Sequence, residues 1–594
     1  MVRHVFSLTG LLLLATGFAA EPAPEVRGAI ERLQKFANEE KAPARRKIYF
    51  VYFTPADREP PSDCRERLGR MMRDVQEFYA REMQRHGFGP RTIQLDQDDR
   101  GALNLHFVKG KHPAAYYLGR DTAKGYEIRQ DARPVLAAAG IDDRKETVVC
   151  FCHVRTEKDG KVTGIGPYYG SGSFRHGWCW FTDASILDPL RLNDKTTMLD
   201  DEEYHRISVG RYNSIFIGGA AHELGHALGL SHNRERQEER SRGKSLMGSG
   251  NRTYGEERRG DGPGSFLTLA DALRLASHPM FSGTTRGLEL ESICRLEELR
   301  VEARGGFLDI SGRVVAAPTP YAVIAYNDPE GGDDYDATAW TAPLDAADRF
   351  TVRVGELKPG TAELRLVVCH VNGAVSWFRY PFRVSADGTP DTSTFVIPVA
   401  LRDAFRAWAD GRLQETRQLA LATTNSPMVR PWAVVLADIA GPEPAWPSLA
   451  DVTTNTVSLG RVQWSEARVG WSKPARNHFP RAVGPELPFL CLGGRYVTDG
   501  LYAHAPSQYV FELGGRWKTF TAEVGLQAGG FGSVVFVVRA DGRERFRSKL
   551  LKRDATARVS VDVAGVKRLE LITENGGDGN QGDWGIWANP VLAR

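Results

Sequence analysis

Charge of one sign, cysteine and long apolar runs are all scarce in this chain. Its 77 Lys and Arg are almost matched by 74 Asp and Glu, giving a formal net charge of +3 over 594 residues. No long basic run stands out, so a nucleic-acid partner is not expected. After residue 20 no stretch is long and apolar enough to cross a bilayer, so no transmembrane segment is expected. Seven cysteines permit disulfides but leave at least one thiol over. What remains is ordinary globular composition, 42% apolar and 25% charged with 61 Gly and 32 Pro. The length exceeds one hydrophobic core, so several domains are expected.

The first twenty residues, "MVRHVFSLTGLLLLATGFAA", have a basic start, an apolar stretch around Leu11 to Leu14, and small residues Gly17 and Ala19 before a cleavage point. They read as a signal peptide, which makes the mature protein secreted or periplasmic. No cysteine lies near that point, which argues against a lipid anchor. Cys150 and Cys152 alternate on an apparent strand, "TVVCFCHV", and share one face. A bond between them is not expected, whereas either has Cys64 or Cys179 as a possible partner.

The fold class expected is multidomain. Residues 21–45 carry Val26, Ile30, Leu33 and Phe36 at helical spacing, an N-terminal helix or a short prosegment. Residues 46–290 alternate strands ("KIYFVYF", "TIQLD", "LNLHFV", "TVVCFCHV") with helices near 63–86 and 120–138, the pattern of an α/β domain on one sheet. "FLTLADALRLASHPMF" reads as one more helix, started by Thr268 and Asp271. Residues 296–385 turn to short alternating strands, a small immunoglobulin- or fibronectin-like β-sandwich serving as a spacer. Residues 386–447 are a helical linker closed by "GPEPAWP". Strands return over 448–594, with a hairpin turn at Asp541-Gly542.

Chemistry concentrates in "AAHELGHALGLSHN", residues 220–233. On a helix His222 and His226 are one turn apart on one face, the spacing two imidazoles need to reach one ion. Gly229 can take a left-handed conformation and turn the chain, bringing His232 back as a third ligand. On an uninterrupted helix His232 would lie nearly three turns from His222. Catalytic zinc takes three protein ligands and leaves a position for water, so one Zn2+ is the cofactor expected. Glu223 is better placed to take a proton from that water than to bind the metal. His-Glu-x-x-His alone arises by chance, but the added Gly229 and His232 make the pattern far more specific. A plain buried helix would also have to bury Glu223 without a partner, at a cost.

"HELGHALGLSH" resembles the extended zinc signature of the metzincin metallopeptidases. "SLMGSGN" is similar to their methionine turn, with Met247 placed beneath the metal. The resemblance implies that His222, His226 and His232 are ligands, Glu223 the general base and Met247 an apolar floor, in a zinc metalloendopeptidase. Ser249 stands where some members carry a tyrosine, and Tyr254 is near in sequence. No cysteine-switch motif is present, and Cys64 reads as the start of a helix. In the family an edge strand near "GIGPYYGSGSFRHGWCWF" pairs with extended substrate; a loop plus a buried strand is the equal alternative. His176 reads as a surface histidine, and "NRERQEERSRGK" as a solvated loop at the cleft rim.

Residues 448–594, with "HAPS" at His504 to Ser507 and the closing tryptophan segment, resemble the NPCBM family of carbohydrate-binding modules. That implies a galactose-binding-like β jelly roll. Sugar sites use aromatic faces with a few polar groups, so Tyr502, His504, Trp584 and Trp587 are the candidate glycan contacts. The family's closing histidine is absent; this chain reads Asp583-Trp584. The combined expectation is a secreted zinc endopeptidase acting on protein or glycoprotein substrates, with a glycan ligand at the C-terminal module. Structural Ca2+ in the β-rich regions is left open. The alternatives are a non-catalytic glycan-binding adhesin with structural zinc, against which Glu223 argues, and a glycoside hydrolase, for which no carboxylate pair stands out.

Overall fold

The computed structural model describes residues 23–39, 46–119, 122–329, 335–424, 427, 429–484, 488–553, 555–577 and 579–594. The signal peptide expected at 1–20 lies outside the described residues.

A helix α1 (Pro24–Asn38) precedes the first domain. The domain is built on strands β1 (Ile48–Thr54), β2 (Leu105–Lys109), β3 (Thr147–Cys152), β4 (Tyr169–Gly172) and β5 (Gly177–Thr182). Their order is β2-β1-β3-β5-β4, parallel except for the antiparallel edge strand β4. Helix α2 (Cys64–Arg85) packs on one face and helix α3 (Thr122–Ala138) on the other. The apolar run "IYFVYF" therefore sits centrally with both faces covered, as parallel strands require.

The period of two along a strand decides the cysteines. Cys150 and Cys152 face α3, beside Val51, Phe53, Trp178 and Trp180. Cys179 and Cys64 lie on the opposite side of the sheet, beside Val149, Phe151 and Phe181. A bond between the two sets would have to pass through the sheet, so neither Cys64 nor Cys179 pairs with Cys150 or Cys152, and none of the seven cysteines is in a disulfide.

Two further expectations change. "TIQLD" forms no strand; only Leu95 bridges to Ile48. "FLTLADALRLASHPMF" is broken. Helix α5 (Leu269–Ser277) starts at the expected box, with Thr268 Oγ1 accepting from Asp271 N and the Asp271 carboxylate from Thr268 N. It stops at His278, which precedes Pro279 and takes ψ 134°, because a residue before proline is pushed out of the helical region.

The β-sandwich pairs a three-stranded sheet, β6 (Ile293–Arg304), β7 (Phe307–Ala317) and β10 (Arg349–Val354), with a five-stranded one. The latter contains β8 (Pro320–Pro329), β9 (Thr338–Pro343), β11 (Gly360–His370) and β12 (Val375–Val384). Strand β8 is buried along its whole length. Val323, Ala325, Leu366 and Val368 face the sandwich core, while Ile324, Tyr326, Val367 and Cys369 join the core of the first domain. Tyr321 hydroxyl donates to Leu273 O, and Ser277 Oγ lies 3.0 Å from it. The sandwich is a structural wall of the first domain, which corrects its reading as a spacer. Helix α1 seals the junction: Val26, Ala29 and Leu33 are buried, and Arg32 donates to Pro320 O (2.8 Å) and Asp345 O (2.7 Å).

Four helices follow: α6 (Ser393–Ala400), α7 (Arg402–Ala409), α8 (Leu413–Ala422) and α9 (Arg430–Ile439). They pack against the next unit, with Trp432 against Phe489 and Tyr496 at 5.1 and 5.4 Å between ring centroids. The C-terminal unit is two antiparallel six-stranded sheets enclosing one core. Asp541 (φ 48°) and Gly542 (φ 77°) make its hairpin turn, both in the left-handed region such a turn requires.

The element that carries the histidines is α4 (Val209–Ala227), capped by Ser208 Oγ accepting from Arg211 N at 3.2 Å. It lies directly on the β4–β5 hairpin. A Cβ added at Gly170 would stand 2.0 Å from Glu223 O, and one at Gly172 2.0 Å from Ala227 O. Gly172→Ala is therefore expected to cost about 1–3 kcal/mol by overpacking, read as a lowered urea midpoint. Ser171→Ala, at the exposed position beside it, should change stability by less than about 0.5 kcal/mol.

Candidate active site and C-terminal aromatic surface

The last turn of α4 ends as a left-handed glycine allows. Gly229 has φ +85°, and Leu230 N reaches back to Gly225 O at 2.9 Å. The turn delivers His232 beside His222 and His226. His226 Nε2 lies 3.1 Å from His222 Nε2 and 2.9 Å from His232 Nε2. Nitrogens set tetrahedrally about 2.0–2.1 Å from one ion stand about 3.3 Å apart, so the spacing suits a shared metal.

The second ring nitrogens say more. His222 Nδ1 donates to Leu246 O at 2.6 Å, and His226 Nδ1 to Leu230 O at 2.9 Å. A neutral imidazole that donates through Nδ1 leaves a lone pair on Nε2. Two such lone pairs aimed at each other repel unless a cation takes them, so the donor set fits a metal. Burial and the neighbouring His226 hold the His222 pKa well below the usual histidine range, so it stays neutral. Among the described residues, three possible ligand atoms of His, Cys, Asp or Glu gather only here.

Glu223 is one residue from His222 and beside the edge strand. Burial pushes its carboxyl up to about 8, partly offset by the backbone N–H of Gly170. Met247 is fully buried, and its sulfur would lie 2.6 Å from a Cβ at Gly225, so the turn after His232 packs under α4. Ser249 is exposed. Tyr254 is buried, with its ring tilted against Phe78, and donates to Asp74 Oδ1 at 2.5 Å.

Helix α5 clamps the turn that carries His232. Asp271 Oδ1 accepts from Asn233 Nδ2 at 2.7 Å, and Arg274 donates to Ser231 Oγ at 3.1 Å and to Gly229 O. Burial raises the Asp271 carboxyl to about 6. The sandwich also reaches the site: Tyr335 stacks on His232 with ring centroids 3.9 Å apart, and lies nearly parallel to His222 at 5.7 Å. Sequence reading missed Tyr335, Asn233 and Arg274. The last two sit in segments already singled out, but nothing local ties Tyr335 to the histidines.

A cavity of about 610 Å³ adjoins the site between β4, α5 and the sandwich, lined by Gly172, His226, Leu230, Arg274, Gly373 and Trp377. Strand β4 borders it as the sheet's edge, and β5 beside it is wholly buried. His176 is exposed. The stretch "NRERQEERSRGK" is corrected from a solvated loop. It docks on the sandwich through Arg234 N to Ala337 O (2.7 Å) and Arg234 to Glu356 (3.0 Å), with Glu235 and Glu239 buried.

In the C-terminal unit the four expected glycan contacts separate. Trp587 is fully buried in the core between Phe520 and Phe536. Tyr502 is buried among Phe479, Leu490 and Ile586, and His504 is 4% exposed with Nδ1 turned to Ala505 O. These three are corrected to structural roles, because each is buried in a segment whose neighbouring residues are buried as well, leaving no face open to a ligand. Trp584 is half-buried between Phe479 and Phe531. Phe531 (63% exposed) continues its surface, and Trp471 (60% exposed) is tied to the same cluster through its backbone carbonyl, which accepts from Tyr502, packed with Trp584 on Phe479. Those two were missed, since exposure of an aromatic in a loop has no periodic signature.

An α/β domain with a histidine site, a sandwich, a helical unit and a second β unit thus make a multidomain, β-rich chain. Residues 455–593 match the NPCBM/NEW2 domain family. The "Putative endo-alpha-N-acetylgalactosaminidase" of Renibacterium salmoninarum is 35% identical over 107 residues, which make up 17% of this chain and 7% of that protein. Among solved structures, wild type OgpA from Akkermansia muciniphila is similar over 58% of this chain and 94% of its own, at 26% identity and a TM-score of 0.48. The CBM51 from Clostridium perfringens GH95, solved with methyl-galactose, is similar over 23% of this chain and 99% of its own, at 26% identity and a TM-score of 0.21.

Trp587→Ala is expected to lower stability by about 3–5 kcal/mol. Trp471→Ala should change it by less than about 0.5 kcal/mol. Calorimetric unfolding of the full chain separates the two outcomes.

Proposed function

We propose that this chain is an exported zinc-dependent endopeptidase of metzincin type, held near glycan-bearing substrates by its C-terminal module. The observation that carries the reading is the convergence of three imidazole nitrogens, two of them fixed by Nδ1 donors, beside a half-buried glutamate on the same helix. Zinc, when bound, supplies Lewis-acid activation of water and of the scissile carbonyl.

The chain's residues do the rest. His222, His226 and His232 would hold the metal through their Nε2 atoms. Glu223, whose carboxyl a cation at the histidines would draw back toward its ionised form, takes a proton from the attacking water and returns it to the leaving amine. The free edge of β4 offers backbone N–H and C=O groups to an extended peptide. Asp271 and Arg274 keep the His232 turn in place, and Tyr335 covers one face of that ring. Glycan targeting rests on the NPCBM/NEW2 match and on the surface formed by Trp471, Phe531 and Trp584. A tether to sugar raises the local concentration of the peptidase at such a surface. Export rests on residues 1–20.

Purified mature protein is expected to carry about one zinc per chain and to cut a panel of unfolded and glycosylated proteins. Glu223→Ala should keep the zinc while cleavage falls by roughly 10²–10⁴-fold; His232→Ala should lose the metal. Chelation should abolish cleavage and added zinc restore it. Equal cleavage by Glu223→Ala and wild type would overturn the assignment.

A further inference from the structure

A second cavity, of about 780 Å³, lies between the helical unit and the C-terminal unit, far along the chain from the histidines. Its volume is in the range of small-ligand pockets, roughly 300–1,000 Å³. Helices α8 and α9 contribute Arg417 and Asp438, the connecting "GPEPAWP" contributes Glu443 and Trp446, and the C-terminal unit contributes Arg461 and Arg476.

Arg476 is the distinctive group. It is only 8% exposed, and its guanidinium lies 3.3 Å from the ring centre of Trp464 and 5.2 Å from that of Trp446. Nη1 donates to Val462 O, but Nε has no hydrogen-bond partner. The nearest carboxylate oxygen, on Glu443, is 3.8 Å away, too far to accept, and Glu443 already accepts from Trp446 Nε1 at 3.1 Å. A buried donor left unpaired costs about 1–3 kcal/mol, and Arg476 lines the cavity, so an anion bound there would offset a cation that the protein alone leaves short of acceptors. Burial also pulls the Arg476 pKa down to about 10, the sign of a cation short of compensating charge.

The rim adds to this. Arg417 is exposed and has no carboxylate partner among the described residues, and Arg461 is 3.5 Å from Asp499. Arg417 and Arg476, neither hydrogen-bonded to a carboxylate, call for one on a ligand, which guanidinium groups bind through paired N–H donors. Asp438 and Glu443 can only accept, so the same ligand must also carry hydroxyl donors. Trp446 and Trp464 add apolar aromatic surface to the lining, which suits the carbon face of a sugar ring. We infer that the junction between α8, α9 and the C-terminal unit is a binding site for an acidic monosaccharide, or the acidic end of a glycan chain. It is separate from the Trp471–Phe531–Trp584 surface and shares no residue with it.

The test is calorimetric titration of the full mature chain with N-acetylneuraminic acid and with glucuronic acid, galactose serving as the neutral comparison. At least one acid should bind, and galactose should bind at least tenfold more weakly. Arg417→Gln, an exposed change that leaves the core untouched, should weaken the acid at least tenfold. Arg476→Gln should abolish binding, with circular dichroism checking its fold; if that variant fails to fold, Arg417→Gln decides. The site is overturned if neither acid binds wild type, if galactose binds equally well, or if Arg417→Gln leaves affinity unchanged.

Discussion

Helix α4 rests backbone against backbone on the β4–β5 hairpin, with Gly170, Gly172 and Gly177 beneath its last turns and Gly225 over Met247. At Gly170, Gly172 and Gly177 the neighbour is helix backbone, so no side chain larger than hydrogen fits there. The closeness places Glu223 beside the N–H groups of an edge strand and puts the helix end where Gly229 can turn the chain. Histidines, glutamate and edge strand therefore form one rigid constellation, built on a helix and a sheet instead of on loops. The usual penalty for glycine inside a helix is offset by burial of the apolar surface that the approach allows.

The second constraint is the double-sided burial of the sandwich sheet. Because Ile324, Tyr326, Val367 and Cys369 belong to the first domain's core, the two domains share one interior. The cleft wall that includes Trp377 is consequently held by packing, and Tyr335 is brought onto His232. Helix α5 links the halves, touching the ligand turn through Asp271 and Arg274 and the sandwich through the Tyr321 hydroxyl.

The C-terminal unit follows the same logic of covered surfaces. Its hairpin carrying Tyr496 docks on the helices, and a Cβ at Gly494 would stand 2.4 Å from Phe382 O of the sandwich. The segment expected to be a linker is thereby drawn into an interface, and the Arg476 cavity is a product of that docking. Neither unit alone encloses it.

Local spacing determined much of what can be known early. The i, i+4 histidines, the glycine stop, the Thr268–Asp271 box and the Asp541-Gly542 turn all act through neighbours in the chain, so they are legible without a fold. Alternation along β3 likewise put Cys150 and Cys152 on one face. Only the tertiary structure decided which face that was, and so that neither Cys64 nor Cys179 can reach them. It also decided that Trp587 and Tyr502 are core while Trp471 and Phe531 are surface, that the sandwich is a wall, and that Tyr335 reaches the site. Each of these depends on which surfaces meet across long stretches of chain, and a residue's own neighbours carry no record of that.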